Sequence, residues 1–285
     1  MSSNVEIETR ALHQCFGGRQ GFYRHDSQVC AGPMAFSVYV PPHEAGARLP
    51  VLYYLSGLTC DDEVFAIKAG AQRLAAELGL VLVVPDTSPR DTGIEGATDD
   101  WDFGEGAGFY LDATESPWNR RFNMYSYVIH ELPALIEKHF PVNRERTGIF
   151  GHSMGGHGAL TIALKNPALY RSVSAFAPIV APMQVPWGHK ALPRYLGEDQ
   201  EAWKEYDACE LVRANTFPDA ILIDQGLADA FLDEQLQPER FETACAEAGQ
   251  ALTLRRHPGY DHGYYFIQTF VEDHLRHHAR ALGVG

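Results

Sequence analysis

Apolar and polar positions change rhythm along this chain. Residues 5–40 alternate, most plainly at Ala35 to Val40 (AFSVYV) before Pro41-Pro42. A period of two marks strands with one solvated face, so this region predicts antiparallel strands at the start of a sheet. From Leu49 the pattern differs. Leu49 to Leu55 (LPVLYYL) and Leu80 to Val84 (LVLVV, stopped by Pro85) are unbroken apolar runs, as expected of strands covered on both faces. Thr147 to Phe150, Ser172 to Ala177, Ala220 to Asp224 and Leu252 to Arg256 are shorter runs of strand type. Between them lie stretches at helical spacing. Residues 64–78 carry Leu74, Ala75 and Leu78 with Gly79 as C-cap; residues 121–140 carry Leu132, Leu135, Ile136 and Phe140, with Pro133 kinking the helix or starting a second segment. Residues 154–164, 234–248 and 264–282 complete the set. Strand and helix alternate through most of the chain, which predicts an α/β fold: a mostly parallel central sheet with helices on both faces.

Two connections exceed the usual loop length. Residues 86–120 are polar and rich in glycine and aspartate, with Trp101, Phe103, Phe109, Tyr110 and Trp118 among them. A connection this long is more often functional than idle, so it is expected to form one wall of a pocket. Residues 178–217 hold four prolines and several aromatics and read as a cap-like excursion above the sheet. No linker divides two cores and no repeat is found, so residues 1–285 are expected to form a single domain.

Charge and cysteine usage narrow the partners. The net charge of −14 argues against nucleic acid and anionic membrane surfaces, which call for basic patches. The five cysteines, Cys15, Cys30, Cys60, Cys209 and Cys245, are odd in number and none lies in a C-x-x-C. Neither a disulfide framework nor a zinc knuckle is suggested, and a reducing compartment is expected. The N-terminal stretch has Glu6, Glu8 and Arg10 but no apolar core, unlike a signal peptide, and no run of eighteen apolar residues occurs. The expectation is a soluble cytoplasmic protein without a membrane partner.

The candidate chemistry centres on Gly151-His152-Ser153-Met154-Gly155. This is G-x-S-x-G between a strand-type run and a helix-type run, the context of the nucleophile elbow of α/β-hydrolases. Such a turn is strained, and Gly151 and Gly155 leave room where side chains would clash. The serine hydroxyl is thrust out, and the N–H of Met154 at a helix N-terminus faces the place where an oxyanion would form. The second oxyanion donor of this fold comes from the loop after an earlier strand, here Ser56-Gly57-Leu58-Thr59-Cys60, with the Leu58 N–H as candidate; the plain alternative is a strand-end turn.

Serine needs a base, and the base needs a carboxylate, in the order Ser, Asp, His. Asp229 lies in the loop after the Ala220–Asp224 run, where ligand sites of open α/β sheets lie; Asp224 and Asp233 are alternatives. His262, flanked by glycine-rich sequence ahead of the final helix, is the candidate base, and His257 the second choice. His152 is expected to line the pocket and His157 to pack. His274, His277 and His278 have spacing that could hold a metal but no companion glutamate motif, so a solvated helix face is expected. No metal or cofactor is called for.

Eight segments together resemble a known family: SGLTC (56–60), PDTSPR (85–90), GAGFYLDAT (106–114), GHSMGGHGAL (151–160), SAFAPI (174–179), VPWG (185–188), IDQG (223–226) and PGYDHGYYFI (258–267). They are similar to the S-formylglutathione hydrolases, also called esterase D, across nearly the whole chain. The resemblance implies a Ser153–Asp229–His262 triad, oxyanion donors at Leu58 and Met154, a thiol near the site at Cys60 and a pocket tryptophan at Trp187. It implies hydrolysis of the thioester S-formylglutathione to glutathione and formate, without cofactor or metal, in a family that is often a homodimer. A broad short-chain carboxylesterase is the alternative, an acyltransferase or a non-catalytic binding protein less so. Two departures stand out. Gly263 replaces the serine usual after the catalytic histidine, and Asp61-Asp62-Glu63 is more acidic than usual. Three carboxylates near the site entrance would weaken binding of an anionic glutathione. Cys60 itself reads as either a modifiable thiol or a small buried residue.

Overall fold

A computed structural model describes residues 6–284; residues 1–5, where the alternating region and the N-terminal stretch read above begin, and Gly285 lie outside the described residues. Nine strands form one sheet: β1 (Glu8–Cys15), β2 (Gly18–Ser27), β3 (Gly32–Val40), β4 (Leu49–Leu55), β5 (Val81–Pro85), β6 (Val142–His152), β7 (Ser172–Phe176), β8 (Ile221–Gly226) and β9 (Leu252–His257). Their spatial order is β1-β2-β3-β5-β4-β6-β7-β8-β9. The alternating N-terminal region makes the antiparallel edge, β1 to β3, and β3 runs antiparallel to β5. From β5 onward every pairing is parallel. The rhythm of the sequence thus maps onto exposure. β1 is largely exposed, whereas β5, β7 and β8 are buried at every position.

The helices are α1 (Val64–Lys68), α2 (Gln72–Leu78), α3 (Met124–Ser126), α4 (Leu132–His139), α5 (Met154–Lys165), α6 (Pro186–Leu196), α7 (Gln200–Lys204), α8 (Ala208–Ala214), α9 (Pro238–Ala248) and α10 (Tyr264–Ala281). Residues 64–78 are therefore two helices, not one. The chain breaks at Gly70, which has φ +69°, and resumes at Ala71. A π-helical turn over Tyr127–Glu131 joins α3 to α4 without a break, and Pro133 follows directly on that turn, so it interrupts the regular α-helical pattern without ending the helix. The helical stretch expected over 234–248 divides, as residues 64–78 do, at Gln237, which has φ +43° before Pro238.

The two long connections pack on each other. The buried ring of Tyr195 in α6 stacks on Phe103 at 4.5 Å and lies edge-on to Trp118. Lys190 reaches Asp102 at 2.5 Å and Arg194 reaches Asp100 at 3.2 Å. Residues 178–217 are mostly helical, carrying α6, α7 and α8, and their aromatics join the same apolar core as the sheet.

α10 differs from expectation on its histidines. His274 and His278 are fully buried against β7 and β8, and no solvated histidine face exists there. Ser172 Oγ meets His278 Nδ1 at 2.6 Å, Ser174 Oγ meets His278 Nε2 and His274 Nδ1 at 2.8 Å each, and His274 Nε2 meets Asp224 Oδ2 at 3.3 Å. A single direction satisfies the chain. His274 donates from Nε2 to the carboxylate, so its Nδ1 accepts from Ser174; Ser174 accepts from His278 Nε2, whose Nδ1 accepts from Ser172. Both imidazoles are then neutral, and burial holds both below the ordinary histidine range. A buried polar group is tolerated only when bonded, and this relay bonds every member.

Burial keeps His25, His152, His157, His274, His277 and His278 neutral, with His157 and His277 pushed down to about 4. In the unfolded chain each takes a proton near pH 6.5, so the stability that depends on their neutrality is complete above that pH and is lost as pH falls towards 4. For His157 and His277 the effect is worth on the order of 3 kcal/mol each. Burial raises Asp62 to about 7, Asp207 to about 6, and Asp86 also upward, and these pull the other way over the same window. Six histidines against three carboxylates decide the sign. The urea midpoint is expected to fall steadily from pH 7.5 to pH 5; a rising midpoint would show the carboxylates dominating.

Candidate active site

The C-terminal ends of β4, β6, β8 and β9 meet around Ser153. β6 ends at His152 and α5 starts at Met154, so Ser153 alone makes the turn, at φ 57° and ψ −119°. That conformation is costly for a residue with a side chain and persists only where neighbours enforce it. The enforcement is backbone contact. A Cβ on Gly155 would lie 1.9 Å from the Leu55 carbonyl oxygen of β4, and one on Gly151 would lie 2.2 Å from the carbonyl oxygen of Gly155. The Ser153 N–H donates to the Phe176 carbonyl at 2.9 Å, and its own carbonyl accepts from His157 at 2.9 Å and Ile179 at 3.3 Å.

Asp229 and His262 come together at 2.5 Å between Oδ2 and Nδ1. Asp229 is 6% exposed. Its carboxylate is aimed by the Phe231 N–H (2.8 Å to Oδ1) and the Gln225 amide (3.3 Å to Oδ2). The two loops are tied directly: Leu227 N–H donates to His257 O at 3.0 Å and Ala228 N–H to Tyr260 O at 2.9 Å. With Nδ1 donating to the carboxylate, the proton of neutral His262 is on Nδ1, and Nε2 carries the lone pair of a general base.

The alternatives separate from the site. Asp224 is bound by Arg255 (Nε 2.6 Å, Nη2 2.5 Å) and by His274, and its carboxyl is held well below the usual range despite burial. His257 lies 3.2 Å from Asp224 and packs on Phe270 at 3.9 Å. Asp233 is exposed in a π-helical turn, Leu232–Leu236.

The remaining predicted positions gather nearby. His152 packs on the His262 ring at 4.4 Å and is buried with both ring nitrogens unpartnered; burial, and next the neighbouring His262, keep it neutral. A Cβ on Gly57 would lie 3.2 Å from Ser153 Cβ, so the Gly57–Leu58 backbone runs beside the nucleophile. Neither the Leu58 N–H nor the Met154 N–H has an acceptor among the described residues, and Met154 stands at the N-terminus of a 12-residue helix. Trp187 is buried and contacts Phe231 at 4.9 Å, which in turn lies edge-on to His262 at 5.0 Å; Trp101 from the long loop meets Trp187 at 5.9 Å. An aromatic wall thus runs from the base outwards, partly built by residues 86–120. His157 packs as expected, bonded to the Phe109 carbonyl at 3.1 Å.

Cys60 is half-buried, and burial, followed by nearby Asp61, raises its thiol pKa, which disfavours the thiolate. The acidic stretch beside it is largely occupied. Asp61 accepts from the Glu63 and Val64 N–H groups at 2.9 and 3.1 Å, ahead of α1. Asp62 is buried and, with Glu63, is paired with Arg10. The expected field of three free carboxylates is therefore reduced, with one guanidinium shared by two of them. Gly263 is the N-cap of α10, a place where serine would accept an N–H bond. Phe231 and Gln225 escaped the sequence reading. Gln225 had a signal in IDQG, but Phe231 had none beyond its nearness to Asp229. Among the described residues no group of three His, Cys, Asp or Glu could hold a metal.

Comparison with known proteins agrees with this fold. Residues 27–277 match the esterase family described as "Putative esterase". The chain is 53% identical to S-formylglutathione hydrolase of Rattus norvegicus over 280 residues, covering 98% of this chain and 99% of the relative. It superposes on an S-formylglutathione hydrolase from Agrobacterium tumefaciens with a TM-score of 0.94 at 53% identity, covering 96% of this chain and 99% of that one. A fluorophosphonate-binding serine hydrolase of Staphylococcus aureus shares the fold at a TM-score of 0.73 and 18% identity, over 92% of this chain and 98% of that one.

The backbone contacts at the elbow predict that Gly155→Ala fails to fold or loses more than about 3 kcal/mol, since a methyl group 1.9 Å from a carbonyl oxygen must displace β4 or α5. Urea unfolding measures this. A stability within about 1 kcal/mol of wild type would show that the elbow is looser than these contacts require.

Proposed function

This chain belongs to the S-formylglutathione hydrolase family of α/β-hydrolase esterases, and we propose that it cleaves S-formylglutathione to glutathione and formate through a formyl-serine intermediate. The observation that carries the reading is full-length identity of 53% to an S-formylglutathione hydrolase, in a chain whose Asp229 and His262 are bonded at 2.5 Å, with the His262 ring against His152, the neighbour of Ser153. Ser153, His262 and Asp229 are assigned as nucleophile, base and orienting carboxylate. His262 Nε2 takes the Ser153 proton as Oγ bonds to the formyl carbon. The N–H groups of Leu58 and Met154 hold the oxyanion. The C–S bond then breaks and glutathione leaves as thiolate, a leaving group that gains little from acid catalysis. The thiolate or solvent takes up the imidazolium proton. Water, deprotonated by His262, attacks the formyl ester, and formate leaves as Ser153 recovers its proton. Crowding of the acyl side by the wall of His152, Phe231 and Trp187 beside the base is the proposed reason for a formyl preference.

No helix among the described residues is long and apolar enough to cross a membrane. The five cysteines are free, which supports the further proposal of a reducing, cytoplasmic setting.

Turnover of S-formylglutathione beside 4-nitrophenyl acetate tests the reading. We expect kcat/KM far higher on the thioester, and Ser153→Ala to lower kcat on both by on the order of 10⁴-fold or more with an unchanged circular dichroism spectrum. A folded Ser153→Ala that keeps substantial activity removes Ser153 as nucleophile. High activity on the aryl ester with little on the thioester moves the protein to a general short-chain carboxylesterase.

A further inference from the structure

The Leu58 N–H is aimed by a peptide plane, and that plane is held from behind. The carbonyl of Gly57 accepts the Cys60 N–H at 3.2 Å. In a trans peptide the C=O and N–H point opposite ways, so the Leu58 N–H of the same plane points away from Cys60. Gly57 lies against Ser153, so this peptide plane stands beside the nucleophile. Thr59, the next residue of the turn, has φ +68°, a strained value for threonine, and needs its neighbours fixed.

The fixing comes from residues 86–90, a segment for which the proposed chemistry has no use. The Cys60 carbonyl accepts two hydrogen bonds, from Thr87 Oγ1 at 2.7 Å and Arg90 Nη2 at 2.9 Å. Arg90 is itself gripped by Asp86, at 3.1 Å from Nε and 2.8 Å from Nη2 to Oδ1. Asp86 is buried at the end of β5, where its N–H is bonded to the Ala35 carbonyl and its Oδ1 also accepts the Thr87 N–H at 2.6 Å. On the other side of the turn, Thr59 N–H donates to the Gly106 carbonyl at 2.9 Å, and Gly106 N–H donates to Ser88 Oγ at 2.8 Å. The loop after β4 is thus moored to the sheet through one half-buried ion pair and two hydroxyls, those of Thr87 and Ser88.

We propose that Asp86, Thr87 and Arg90 are positioning residues for the oxyanion hole: they pin the Cys60 carbonyl and so hold the Leu58 N–H on the developing oxyanion. The proposal rests on the reading of Ser153 and Leu58 given under Proposed function. Its energetic signature follows from the geometry. A donor displaced by a fraction of an ångström still lets substrate bind but stabilises the tetrahedral intermediate less, so the loss falls on kcat and not on KM. Deleting an oxyanion donor outright costs about 10²- to 10³-fold in kcat, which bounds the effect from above.

The test uses Thr87→Val, Thr87→Ser, Arg90→Ala and Arg90→Lys, with Ser153→Ala as control. On S-formylglutathione, Thr87→Val is expected to lower kcat about 10-fold and Arg90→Ala about 100-fold, with KM little changed. Thr87→Ser restores the wild-type rate because it restores the hydroxyl. The same losses are expected in the rate at which a fluorophosphonate labels Ser153, since its P=O oxygen occupies the same hole. The pH at which kcat/KM half-titrates stays put, because the base is untouched. Arg90 borders an open cavity of about 350 Å³ that Arg10, Asp62 and Asp86 also line. Millimolar methylguanidinium is therefore expected to rescue Arg90→Ala in part. Should Arg90→Ala not fold, Arg90→Lys keeps the charge on Asp86 but not the two-armed bridge, and an intermediate loss of kcat is expected. The idea is overturned if folded Thr87→Val and Arg90→Ala keep kcat within about twofold of wild type, or if Thr87→Ser is as poor as Thr87→Val and the losses track melting temperature. An active Ser153→Ala would instead overturn the nucleophile assignment and leave the clamp's geometry to be tied to another donor.

Discussion

Everything in this fold that bears on chemistry depends on the close approach of three backbones at the elbow. β4, β6 and the first turn of α5 touch with no side chain between them, because Gly151 and Gly155 present none. The contact forces Ser153 into a positive-φ conformation that a lone strand-to-helix turn would not hold. The strain has a structural return. The nucleophile stands clear of the sheet, and the N-terminus of α5 is brought up beside the loop leaving β4. Parallel strands then carry the other groups to the same edge, since each β–α connection of such a sheet opens at the carboxyl ends of its strands.

Two aspartates show how environment, not residue type, assigns a role. Asp224 and Asp229 are five positions apart, one in β8 and one just past it, and both are buried. Asp224 receives a guanidinium in two bonds and a histidine besides, and its charge is spent in holding β9 and α10 to the sheet. Such a carboxylate has little left with which to stabilise an imidazolium. Asp229 is surrounded instead by neutral donors, an amide and a backbone N–H, which fix its direction without cancelling its charge. The full negative charge is therefore available to His262. The same logic separates the histidines. His262 keeps a nitrogen free, whereas His274 and His278 have both nitrogens committed to the relay that ends on Asp224.

Much of this was legible in the sequence, and what was not has identifiable causes. Unbroken apolar runs located the parallel strands to within a few residues because burial on both faces leaves no other pattern. The elbow was legible because its glycines are a steric requirement. The order Ser, Asp, His brought Asp229 and His262 forward, but three aspartates shared the region; the Arg255 and His274 contacts set Asp224 aside, and exposure sets Asp233 aside. The helix breaks at Gly70 and Gln237 were missed because apolar spacing carries across a single left-handed residue. The buried histidines of α10 were misread as solvated since imidazole is polar in any scale; the partners that make burial tolerable, Ser172 and Ser174, lie about a hundred residues away. The aromatic wall of Trp101, Trp187 and Phe231 joins three separate segments and has no local signature.

Charge near the entrance follows from the same reasoning about partners. The chain carries −14 overall, and Asp61-Asp62-Glu63 sits beside the oxyanion loop, which on composition alone would repel an anionic thioester. Yet Asp62 and Glu63 are paired with Arg10 from β1, the edge strand farthest from the catalytic loops in the sheet order, and Asp61 is turned onto backbone N–H groups at the start of α1. The antiparallel edge thus does more than close the sheet: it supplies a cation that offsets part of the charge of the acidic stretch. Opposite charges this close lose most of their field within about 10 Å at physiological salt, so what a substrate meets at the mouth is set by local pairs and not by the net count. The acidic surface of the protein therefore weighs less on its proposed anionic substrate than the net count suggests.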